Sequence, residues 1–212
     1  MSSESRPPLE RRGLDVAPAI DLTSGRPALV GYAVRFGESS AVLTDPRTGA
    51  TFVEVVRPEA LRRLPERRDV KAFVGHASDR VPMGSTRSGT LKLQTDAVGL
   101  RFRLDPPDSP SGLDLIEGVR RGDIDGVSFG FRVLDDGDRW QRNVRPPVRE
   151  LVDIDLFEIS IVNTPAYTGS AVQIEQRALD AAAQIWAADG AATRLLELRS
   201  LEQRVLALRL TA

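Results

Sequence analysis

Three side chains in this 212-residue chain have the chemistry of acyl transfer: one serine between small residues, the single histidine, and a carboxylate on an apolar strand. Ser128 lies in Gly126-Val127-Ser128-Phe129-Gly130, a literal G-x-S-x-G. That motif marks the nucleophile elbow of α/β-hydrolases when a strand precedes the serine and a helix follows it. Here a helical stretch and the turn Gly122-Asp123 come first, and Phe131-Arg132-Val133-Leu134 continues as strand. The elbow also needs a histidine after the serine, and the only histidine is His76. Ser128 is therefore placed on a strand, with Val127, Phe129, Phe131 and Val133 on one face and Ser128, Gly130 and Arg132 on the other. Gly126 and Gly130 leave room for a substrate backbone beside Ser128. Read structurally, Ser128 is just a small residue next to a turn.

Glu158 lies in DIDLFEISIV, where strict alternation puts Ile154, Leu156, Glu158 and Val162 on one face. An unpaired charge among apolar neighbours is expensive, so Glu158 requires a partner. A histidine would make the pair a general base for a serine hydroxyl, whereas one of the many arginines would make it purely structural. Asp153 and Asp155, of opposite parity, are weaker candidates for the same role. His76 sits at the end of the strand DVKAFVGH, where a lone imidazole can simply satisfy local hydrogen bonds. If acyl transfer occurs in this chain, His76 has to be its base.

Composition removes whole classes of function. Without cysteine there is no disulfide framework, thiolate zinc site or cysteine nucleophile, and one histidine excludes His-rich metal sites and any triad with two imidazoles. No cofactor or metal is expected. The 29 basic and 30 acidic residues nearly cancel. Lys71 and Lys92 are the only lysines, and no dominant basic field favours nucleic acid. No apolar run approaches the ~20 residues of a membrane span, and MSSESRPPLERR leads into no hydrophobic region, so neither a membrane nor secretion is expected.

The elements that must position these residues are mostly strands. Residues 1–27 read as a flexible tail that donates one edge strand near Gly13-Leu14-Asp15-Val16, with order beginning near Ala28. Strands are predicted over 28–36, 51–58, 69–76, 124–134 and 149–162, with a hairpin over 90–105 that has one wet face. A short helix is predicted over 58–67, after Pro58. A longer one over 111–123 has Ser111 as N-cap, Leu113, Ile116 and Val119 on its apolar face, and Gly122 at its end. Beyond about residue 175 the chain turns Ala- and Leu-rich, with Leu195, Leu198, Leu201, Val205 and Leu208 at helical spacing. That gives a mostly β domain over 28–170 and a helical extension over 171–212, which either packs on the domain or pairs with a partner.

In this order and spacing, GYAVRF (31–36), VEVVRPEAL (53–61), AFVGH (72–76), VPMGST (81–86), LKLQTDAVGLRFRLD (91–105), LIEGVRRGDIDGVSFGF (115–131) and LFEISIVNTPAY (156–167) resemble the prohead serine proteases of tailed phages, a family related in fold to the herpesvirus assemblins. The likeness runs from about residue 11 to residue 177. It implies an α+β, mainly antiparallel fold: a small assemblin-like β-barrel with surrounding helices. It also implies a serine endopeptidase with His76 as base, Ser128 as nucleophile and Glu158 as the acidic third member, where assemblins use a second histidine. Gly75 departs from the asparagine common in relatives.

The resemblance further implies work inside the phage procapsid in the host cytoplasm. The substrates would be scaffold or the scaffold-like N-terminal part of the major capsid protein, and the enzyme itself. A homodimer is among the implied assemblies. Confinement supplies a high effective concentration, so a shallow groove suffices, and residues 1–27 and 168–178 are the loops expected to be self-cleaved. Two other readings stand beside this one. A catalytically idle scaffold or internal capsid protein would use the C-terminal helix to bind shell subunits. An esterase would need a deep apolar cavity.

Overall fold

A computed structural model describes residues 8–14, 17–64 and 69–163. In chain order its strands are β1 (Glu10–Leu14), β2 (Ala19–Asp21), β3 (Ala28–Arg35), β4 (Leu43–Thr44), β5 (Thr51–Val56), β6 (Lys71–Val74), β7 (Gly84–Ser85), β8 (Leu91–Thr95) and β9 (Gly99–Leu104). Helix α1 (Pro110–Arg121) follows, and then β10 (Gly126–Val133), β11 (Asp138–Gln141), β12 (Val148–Leu151) and β13 (Ile154–Val162). The predicted tail thus contributes two strands, β1 and β2.

These strands form three open sheets, ordered β1-β10-β13-β6-β7, β11-β12-β5-β4 and β2-β3-β9-β8. The expected α+β fold built on a closed assemblin-like barrel is therefore incorrect. Among the described residues the fold is mostly β, with one α-helix and a 3-10 turn, and no sheet closes on itself. Strand pattern specifies which residues are extended but not whether the last strand hydrogen-bonds to the first. Here the first sheet ends in β7 and the second in β4, each only two residues long. Two pairings, β13 with β6 and β12 with β5, are parallel. The predicted helical extension, with its surrounding contacts, lies outside the described residues, as does the 168–178 linker.

Local chemistry explains the departures in the helices. The stretch after Arg57 opens with a 3-10 turn, Pro58–Leu61, and the end of the predicted 58–67 helix lies outside the described residues. The N-cap position of helix α1 is Ser109 rather than Ser111, without a side-chain capping hydrogen bond; Pro110 is in its first turn, and it ends at Gly122. Its buried face is therefore Leu115 and Val119 with Ile116 at the margin, while Leu113 is exposed. The predicted 90–105 hairpin is β8–β9. Its wet face is confined to β8; Arg101 and Arg103 of β9 are buried, with Arg103 paired to Asp21 and Asp105 and Arg101 to Asp96.

Apolar side chains from the sheets make one core, in which Leu29, Leu100, Phe102, Leu104, Phe131, Ile159 and Ile161 are fully buried. On β1 the side chains opposite core-facing Phe131 and Phe129 are Glu10 and Arg12, and they are anchored by charge. Arg12 makes a two-pronged contact with buried Glu54 of β5, at 2.8 and 3.0 Å, and reaches Glu10 at 2.6 Å. Arg149 of β12 donates to Glu10 at 2.8 and 3.1 Å, to Glu54 at 3.2 Å and to Asp138 at 2.7 Å. This ionic clasp ties the N-terminal strand of one sheet to the middle of another. Removing one member of a buried ion network leaves charge uncompensated, so Glu54→Ala is expected to lower stability by about 3 kcal/mol in urea titration. Amide exchange should rise first in β1.

Candidate active site

The site lies on the β1-β10-β13-β6-β7 sheet, and a β-bulge decides which face carries it. Along β10 and β13 the register pairs Val127 with Ile161, Ser128 with Ser160, Phe129 with Ile159 and Gly130 with Glu158, but then Phe131 with Leu156. Phe157 is the extra residue. One inserted residue reverses parity, because side chains alternate with a period of two. Leu156, Ile159 and Ile161 thus face the core with Phe131, Phe129 and Val127, whereas Glu158 emerges on the other face with Gly130 and Ser128. Strict alternation had put Glu158 on the face of Leu156, and the bulge corrects that expectation.

His76 reaches the same face from the end of β6, which runs parallel to β13. Two successive residues, Gly75 (φ 62°) and His76 (φ 60°), adopt left-handed backbone conformations that turn the chain sharply there. That geometry accounts for the Gly75 position: glycine and asparagine are the residues that enter this region at lowest cost. A Cβ at residue 75 would meet nothing within 4 Å, so φ rather than crowding sets the requirement.

The imidazole and the carboxylate meet: His76 Nδ1 lies 2.9 Å from Glu158 Oε1. The Arg11 guanidinium donates from Nε to that same oxygen at 3.1 Å. Burial pushes the Glu158 carboxyl upward, but hydrogen bonds from His76 and Arg11 and the charge of Arg11 outweigh it, holding the group below the ordinary glutamate value. Gly130 makes the approach possible, since a Cβ there would stand 2.8 Å from Glu158 Cγ. Neither Asp153 nor Asp155 takes the place of Glu158 beside the imidazole; Asp153 is engaged by Arg62 at 3.2 Å.

Ser128 is on the face of Glu158, 3% exposed, and its hydroxyl donates to the Arg12 carbonyl of β1 at 2.8 Å. No hydrogen bond joins it to His76 among the described residues. The structure thus joins two of the three predicted residues directly and places the third on their face, engaged with the neighbouring strand. The sequence reading singled out neither Arg11 nor Ser160. Arg11 stands in a stretch that looks like a charged tail. Ser160, the cross-strand neighbour of Ser128, is fully buried with its hydroxyl unpartnered, and nothing in its type or spacing signals that.

The family model for caudovirus prohead serine proteases matches residues 16–185 of the chain. The chain belongs to the caudovirus prohead serine protease family. No curated protein and no solved structure matches it. A serine protease is the enzyme class this prohead protease represents.

Substitutions at two positions, Gly75 and Ser160, probe how this face of the prohead protease's sheet is held. Gly75→Asn should leave stability within about 0.5 kcal/mol of wild type, while Gly75→Val, β-branched at positive φ, should cost about 2 kcal/mol by chemical denaturation. Ser160→Ala deletes a buried hydroxyl with no hydrogen-bond partner among the described residues, so calorimetry should show a melting temperature raised by about 2–4 °C rather than lowered.

Proposed function

We propose that this prohead protease is an endopeptidase using His76, Ser128 and Glu158 as a Ser-His-Glu triad. The 2.9 Å contact between His76 Nδ1 and Glu158 Oε1, on the face that also holds Ser128, is the observation that carries the reading. With the Nδ1 proton donated to Glu158, Nε2 keeps its lone pair for the serine hydroxyl. Rotation of the Ser128 side chain off the Arg12 carbonyl delivers that hydroxyl to the base. Ser128 Oγ then bonds to the peptide carbonyl carbon while its proton passes to Nε2. The same proton goes to the amine as the C–N bond breaks, leaving an acyl-enzyme. Water attacks the ester with His76 again as base, and Ser128 recovers its proton as the acid product leaves. Glu158 stays ionised throughout and stabilises the transient imidazolium.

The substrates are scaffold protein or the scaffold-like N-terminal part of the major capsid protein, cleaved within the procapsid interior in the host cytoplasm, and the chain itself. Support comes from family membership, and confinement with the substrate makes high intrinsic affinity unnecessary. A second reading, an idle scaffold of the same fold, draws on one observation: the Ser128 hydroxyl is committed to Arg12.

Co-expression with the phage's capsid protein, followed by intact-mass spectrometry of all chains, separates the two. Wild type should yield truncated capsid protein or self-cleaved enzyme. Ser128→Ala, His76→Ala and Glu158→Gln should each slow that cleavage by about 10⁴-fold or more. Identical full-length masses in wild type and Ser128→Ala, under conditions where shells assemble, would establish the scaffold reading instead.

A further inference from the structure

We propose that Arg11 is a positioning residue for the His76–Glu158 pair, so that the N-terminal strand β1 is part of the catalytic arrangement and not only of the fold; the inference rests on the triad reading above. Arg11 Nε and His76 Nδ1 converge on one oxygen, Glu158 Oε1, at 3.1 and 2.9 Å. A carboxylate oxygen has two lone pairs, so the two donors hold it from different directions without competing for one site. Glu158 is nearly enclosed, its side chain 5% exposed, while Arg11 is 40% exposed and keeps part of its guanidinium in water.

The other elements around Glu158 offer it no second permanent cation among the described residues. On β10 it faces Gly130 and Ser128, both uncharged, and the guanidinium of Arg132 lies over the Phe157 ring. On β6 the register neighbour is Lys71, whose ammonium is on Asp69 at 3.0 Å. In the proposed cycle the imidazolium of His76 is a transient cation, formed when it takes the serine's proton. For the rest of the catalytic cycle, Arg11 is the charge that offsets burial and keeps Glu158 ionised. An ionised Glu158 is what fixes the proton on Nδ1 and leaves Nε2 free to act as base. A protonated Glu158 would release the imidazole to the other tautomer.

The test uses the full chain and two substitutions, Arg11→Gln and Arg11→Lys. His76 is the chain's only histidine, so ring ¹⁵N shifts report its tautomer without ambiguity. Without the cation the Glu158 carboxyl gains its proton at higher pH. Arg11→Gln should therefore lose the Nδ1-protonated tautomer at a pH where wild type retains it. The acid limb of capsid-protein cleavage should move to higher pH as well, and the plateau rate should fall about tenfold, the order lost when a partner orienting a functional histidine is removed. Arg11→Lys, which keeps the charge, should restore the acid limb. If Arg11→Gln lowers only the melting temperature and leaves both the tautomer and the acid limb in place, Arg11 merely staples β1 to β13 and the proposal fails. Failure of the triad reading is visible separately, as cleavage that survives in Ser128→Ala or Glu158→Gln.

Discussion

A single carboxylate oxygen organises this sheet. Glu158 Oε1 accepts from a residue of β1 and from a residue just past β6, and its own strand lies between β10 and β6. A buried carboxylate left unpaired would cost several kcal/mol, so the surrounding chain has to deliver donors to it. Each neighbour conforms to that demand. Gly130 omits the side chain that would occupy the space of Glu158, the left-handed pair Gly75-His76 swings the imidazole back over the sheet, and β1 lies along β10 in the register that brings Arg11 alongside.

Two irregularities make that delivery possible, and both oppose ideal strand geometry. The bulge at Phe157 interrupts the β10–β13 ladder, and a non-glycine residue at positive φ carries a local penalty. An uninterrupted β13 would put Glu158 into the core beside Leu156. An extended backbone at 75–76 would carry the imidazole away along β6. Irregularities at the end of a strand and at a sheet's functional face are places where local strain is retained because the rest of the fold over-determines it.

The N-terminal strand is held by charge more than by apolar contact. Glu10 and Arg12 of β1 are enclosed with Glu54 and Arg149, and such a network contributes registration more dependably than net stability. Registration is what the site draws on. Arg11 and the Arg12 carbonyl reach Glu158 and Ser128 only if β1 pairs with β10 in one frame, Gly13 opposite Ser128. A slip of one residue would turn Arg11 to the opposite face. The same frame puts the Ser128 hydroxyl on a main-chain acceptor, the Arg12 carbonyl.

The sequence by itself determined the chemistry available. One histidine and no cysteine leave His76 as the one imidazole available as a base and exclude a thiol nucleophile, and side-chain periodicity locates most strands and the longer helix. These are local properties, set by residue type and by side-chain periods within one element. Tertiary structure alone decided the rest. Periodicity could not reveal the bulge that turns Glu158 toward Ser128, because an inserted residue is defined only against the partner strand. Nor could it show that the sheets stay open, that β6 pairs in parallel with β13 and β12 with β5, or that an arginine of the N-terminal strand reaches residue 158. Those outcomes depend on hydrogen bonds and ion pairs between residues far apart in the chain, such as Arg11 with Glu158 and Arg12 with Glu54, for which one sequence has no local signature.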